Sequence, residues 1–167
     1  MTSYQPDPAT VATQSMSSEE LINNLVEDTN SINHVEVIET VIASLQQQES
    51  AMVSQTQDSY LWKFQYGSVE VFVQLTGQTD EDSFKVWSSV LKLPTKDDKR
   101  LMRRVLEMNW SDTFEACFGI FEEQVVVLST RTVAELSPGE VSRLITVVAT
   151  IADENDEALQ SEFGAAK

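Results

Sequence analysis

A chain of 167 residues with 41% hydrophobic content has the size of one domain with tails and enough apolar material for a real core. Its 27 acidic residues against 11 basic ones give a formal charge of -16, which disfavours general affinity for nucleic acid or membrane surfaces. One cysteine excludes an intramolecular disulfide and fits a reducing compartment. With only one histidine beside it, a His/Cys zinc site within one chain is also excluded.

Residues 1–16 are rich in Ser, Thr, Gln and Pro and lack hydrophobic periodicity, which predicts a disordered tail before a single domain over 17–160. The first basic residue is Lys63, so the N-terminus offers no basic signal or transit region. No apolar run approaches the roughly 18 residues of a membrane span, and the expected location is the cytoplasm, with no membrane partner. Ser17-x-x-Glu20 resembles a capping box before Leu21, Ile22 and Leu25. From Ile32 to Gln48, Val35, Ile38, Val41, Ile42 and Leu45 recur at helical spacing.

The period then changes to two. Ser59–Tyr66 puts Tyr60, Trp62, Phe64 and Tyr66 on one face, and Val69–Thr76 puts Val69, Val71, Val73 and Leu75 on one face. The two-residue link Gly67-Ser68 pairs Tyr66 with Val69, Phe64 with Val71, Trp62 with Val73 and Tyr60 with Leu75. An acidic loop over 77–82 precedes a third strand, Ser83–Leu93. That strand sets Phe84, Val86 and Val90 against Trp87, Leu91 and Leu93, so both faces carry large apolar groups.

Residues 92–104 hold six of the 11 basic residues against two acidic ones, leaving -20 on the rest of the chain. Thr95 with Asp98 reads as a Thr-x-x-Asp capping box for a helix. At about 100° per residue, Lys96, Lys99, Arg100, Arg103 and Arg104 fall within roughly 140° of arc. Leu101, Met102, Val105, Leu106 and Met108 fill about 160° on the opposite side, wider than packing on one sheet requires. Lys99, Arg100, Met102, Arg103 and Leu106 are therefore the candidate residues of a helix contact with an identical subunit or a partner. Two more strands follow, Thr113–Phe121 and Gln124–Thr130. The last helix opens at Ser137-Pro138-Gly139-Glu140, with serine as N-cap, proline at N1 and glutamate closing a capping box. Residues 161–167 read as a frayed end.

The order α-βββ-α-ββ-α predicts an α+β domain with a mainly antiparallel five-stranded sheet. The chemistry of catalysis is sparse. His34, near a helix start, reads as a surface or capping-region residue, and Cys117 as a small buried hydrophobe. Asp153 and Asp156 read as part of a solvated acidic face. The five glycines form no phosphate-cradling loop, and residues 79–82 lack the oxygens and glycine of a calcium loop. No catalytic, metal or cofactor site is assigned. Trp62, Trp87 and Trp110 all read as core, with Trp87 the best candidate of the three for an exposed anchor.

The run from Leu101 to Trp110, the strand Phe114 to Ile120, and Val125–Thr130 leading into Leu136–Val141 resemble the bacterial YbjN family, its cyanobacterial branch in particular, over about Ile32 to Leu159. The resemblance implies the fold of type III secretion chaperones, a dimeric α+β module that binds extended client segments, and a regulatory label without a catalytic motif. The expected function is a non-enzymatic interaction module, chaperone-like or regulatory. It binds a partner segment on the exposed sheet face at Phe72, Trp87 and Leu91. The alternative is a transcriptional or RNA-linked regulator contacting nucleic acid through the basic helix 96–108.

Overall fold

The computed structural model describes residues 32–46, 52–56 and 59–165. The expected tail over 1–16 and the capping box at Ser17 lie outside them. Helix α1 (His34–Leu45) is followed by strands β1 (Met52–Thr56), β2 (Ser59–Tyr66), β3 (Val69–Leu75) and β4 (Ser83–Lys92). Helix α2 (Asp98–Ser111), strands β5 (Cys117–Phe121) and β6 (Gln124–Thr132) and helix α3 (Pro138–Phe163) complete the order. The sheet has six strands, not five, arranged β1-β2-β3-β4-β6-β5. Every neighbouring pair is antiparallel. The unexpected strand is β1, whose five residues are too few and too polar to show a period of their own. It forms by pairing along β2.

The β2–β3 register is the one the hairpin pattern predicts, from Tyr66 opposite Val69 to Tyr60 opposite Leu75. Gly67 makes the turn possible with φ +52, a left-handed conformation that a side chain disfavours. The β5–β6 turn uses Glu122 and Glu123 at φ +48 and +57 instead of glycine. Strand β5 starts four residues later than the alternation suggests. Residues 113–116 close a turn, with the Ala116 N–H donating to the Thr113 carbonyl at 2.8 Å.

One sheet face is the core face. Trp62, Phe64, Val71, Val73, Leu75, Phe84 and Val86 are all buried there, and α3 packs across them with α1 beside it. Two serines share this face and are satisfied locally. The Ser88 hydroxyl donates to the Glu70 carbonyl at 2.8 Å, and the Ser129 hydroxyl to the Glu115 carbonyl at 3.0 Å. Helix α2 covers the β5 end with Leu101, Val105 and Met108.

The helix ends follow side-chain capping. Asp97, not Thr95, caps α2, its carboxylate accepting from the Arg100 N–H at 3.0 Å. Asp98 still accepts from the Thr95 N–H and hydroxyl, each at 2.7 Å, so the Thr-x-x-Asp box closes one turn ahead of the helix. Helix α3 runs past the expected fray to Phe163, whose buried ring lies 5.4 Å beneath the Arg100 guanidinium.

The α3 capping box forms as expected. Glu140 accepts from the Ser137 N–H and hydroxyl at 3.0 Å, and Ser137 accepts from the Glu140 N–H at 3.3 Å. The Ser137 N–H, then its hydroxyl, then Arg131 hold the Glu140 carboxyl below its usual value. A carboxyl depressed in the folded state adds stability above its unfolded pKa, and that stability is lost as pH falls through the folded value. Denaturant titrations at descending pH will therefore show a shallower acid loss for Ser137→Ala than for the wild type. Equal slopes would remove this contribution.

Candidate functional site

The sheet's other face is open. Strand pairing places Lys63, Phe72, Trp87, Leu128 and Cys117 in one row across five strands. Phe72 and Trp87 are half-buried and stacked, their ring centres 5.3 Å apart at 10°. Phe121 from β5 meets the indole edge-on at 6.2 Å and 72°. Beside this aromatic group lies a concavity of about 250 Å³ lined by Trp87, Phe121, Val126, Leu128, Gln74 and Lys85. Gly119 and Ile120 complete its lining. A Cβ on Gly119 would stand 2.7 Å from Leu128 Cδ2.

Leu91 is not part of this face. It is 6% exposed and belongs to the core. The cause is a register shift between Ser89 and Leu91, where the β4–β6 ladder admits an extra residue. Simple alternation puts Leu91 beside Trp87, but the bulge turns it inward next to buried Val90.

On α2, the structure separates the candidate residues by depth. Lys99, Arg100, Arg103 and Leu106 are exposed, and Met102 is half-buried. Leu106 is 66% exposed and Trp110 94% exposed, so Trp110 is not a core residue. Lys99, Arg103, Leu106, Glu107 and Trp110 line one shallow depression along the helix. These positions recur at helical spacing, and extending the exposed stripe one turn beyond Leu106 reaches Trp110. Two of the cations are engaged. Arg100 pairs with Glu162, and Arg103 with Glu107 at 3.0 Å. Past the helix, Phe114 is 84% exposed at φ +50, a conformation that costs a phenylalanine stability.

Four further residues depart from expectation. His34 is buried, its Nε2 2.8 Å from the Leu136 carbonyl, because α1 starts against the loop before α3. Cys117 is exposed, since it opens the edge strand β5 on the open face. Asp153 and Asp156 bind the β2–β3 turn. Ser68 donates its N–H to Asp153 at 2.7 Å, and its hydroxyl lies 3.0 Å from each carboxylate. On β5, the Asn109 carboxamide accepts from the Phe118 N–H at 2.6 Å and donates to its carbonyl at 3.3 Å. Helix α2 thus occupies part of the free strand edge. Among the described residues no group of three His, Cys, Asp or Glu side chains could hold a metal ion. Among them no helix is long and apolar enough to cross a membrane.

Comparison with known proteins adds a family. Residues 34–161 match the model of the YbjN family, described as "Putative bacterial sensory transduction regulator". No curated protein matches. Six chains of solved structures match. One, from the "Crystal Structure of the ExsC-ExsE Complex", is 13% identical with a TM-score of 0.45, and the match covers 75% of this chain and 94% of that one.

Proposed function

Because this chain belongs to the YbjN family, we propose that it is a non-enzymatic regulatory module that holds a segment of a partner protein on its open sheet face. The observation that carries this reading is the stacked Phe72–Trp87 pair with Phe121 at its edge, half-open to solvent beside an apolar concavity. An aromatic cluster of this kind is what partner recognition uses, since large rigid rings bury area at low entropic cost. The segment lies over the rings instead of joining the β5 edge as a further strand, because Asn109 already holds the Phe118 backbone groups. Cys117, a free and exposed thiol, supports a reducing, cytoplasmic setting.

Helix α2 is the self-association surface in this reading, through Leu106 and Trp110. The engagement of Arg100 and Arg103 by Glu162 and Glu107, beside exposed apolar groups, supports a protein contact over a nucleic-acid one. Two variants separate the surfaces. Trp87→Glu will lose protein partners captured by the wild type from native lysate while keeping a two-chain mass by light scattering. Leu106→Glu will keep capture and fall to the mass of one chain. Capture unaffected by Trp87→Glu, or captured material removed by nuclease, would defeat the reading. A wild type of single-chain mass would remove the dimer.

A further inference from the structure

The concavity beside Trp87 has a chemistry more specific than an apolar patch. Its walls are Trp87, Phe121, Val126 and Leu128, and two polar side chains, Gln74 and Lys85, reach it as cross-strand neighbours. Acids outnumber bases 27 to 11 in the chain, yet Lys85 is in no ion pair among the described residues. Lys63, on the same face, is paired with Glu70 at 2.8 Å. A half-buried lysine on an apolar wall, with no ion-pair partner among the described residues of so acidic a chain, is complementary to an acid from elsewhere.

Size narrows the occupant. At about 250 Å³ the space is smaller than the roughly 300–1,000 Å³ of pockets that enclose a free ligand. It suits one large side chain of a longer segment. Its depth depends on Gly119, because any side chain there would press on Leu128.

We propose that this concavity seats a large apolar residue of a partner segment and that Lys85 pairs with an aspartate or glutamate beside that residue. The partner is thus an apolar–acidic stretch of polypeptide. This rests on the open face being the segment-binding face. The acid supplies selectivity, since a segment with a basic residue at that place would meet the ammonium as a like charge.

A displayed random-peptide library panned on the full chain tests this. Enriched peptides will share a large apolar residue next to Asp or Glu, and their binding will require Trp87. Replacing that acid by its amide will weaken binding to the wild type about tenfold and binding to Lys85→Gln less than about twofold, the mark of a direct pair. Lys85→Glu, a surface change whose fold is checked by circular dichroism, will enrich Lys or Arg at the same place. Gly119→Val, which fills the space, will weaken every selected peptide whether or not the acid is present. Peptides that need Trp87 but show no acid, or an acid indifferent to Lys85, overturn the pairing and leave segment binding standing. No enrichment at all overturns both. A two-chain mass that falls to one chain on Trp87→Glu, again without enriched peptides, gives the face to a second copy and likewise overturns both.

Discussion

Leu101→Ala will cost the fold about 3–5 kcal/mol, one of the largest losses expected from any single truncation in α2. Leu101 is fully buried on the inner face of a helix whose other anchors are Val105 and Met108. Removing its terminal carbons forfeits their transfer out of water and leaves a void that neighbouring side chains fill only in part. Leu106→Ala, five residues on, removes the same atoms from a side chain 66% exposed. It will stay within about 0.5 kcal/mol when measured on dilute, dissociated chains. Urea denaturation checks both, with an unchanged slope showing that the native state keeps its extent. Equal losses at the two positions would mean that α2 is not seated as described.

Gly67→Ala is the second large effect, at about 2–3 kcal/mol, and its size comes from two causes that can be separated. The residue has φ +52, which costs any L side chain about 1 kcal/mol. Its added Cβ would also overlap the Asp153 carboxylate, which must then leave the Ser68 N–H and hydroxyl. Losing hydrogen bonds to a charged group accounts for the remainder. In an Asp153→Ala background the collision is absent, and Gly67→Ala will cost only about the conformational 1 kcal/mol. Simple additivity in this double-mutant cycle would show that the turn and α3 are not coupled through this carboxylate.

Much of the fold could be read from alternation because the relevant residues report on local geometry. The β2–β3 register followed from Gly67-Ser68 and two matched faces, and the α3 start from Ser137 and Glu140. What alternation could not report is anything decided by a neighbour in space. The bulge at Ser89–Leu91 arises in the ladder with β6, over thirty residues away, and it moved Leu91 from the open face to the core. The edge position of β5 exposed Cys117, and the loop before α3 buried His34. The candidate site was half legible. Phe72 and Trp87 were visible as large residues on the wet phase of their strands. Lys85, two residues before Trp87, shares its phase on β4, whereas Phe121 and Gly119 join them only through pairings that cross the sheet. Trp110 is exposed although tryptophan is usually core, because it lies about two turns beyond Arg103 on the charged side of α2.

The strand order carries a consequence for how the chain reaches this state. Neighbouring strands in sequence are neighbours in the sheet everywhere except at β4, which pairs with β6. The hairpins β2–β3, β3–β4 and β5–β6 can each form early from local encounters. The β4–β6 ladder must wait for a loop to close over the residues between Lys92 and Gln124. Helix α2 lies inside that loop, and winding it shortens the chain that has to be gathered in. Among the strand pairings, the joining along β4 and β6 therefore closes the longest loop and is the step expected to be slowest. Changes that strengthen α2 before docking speed that step, and changes confined to the early β2–β3 turn likewise alter the rate of folding more than that of unfolding.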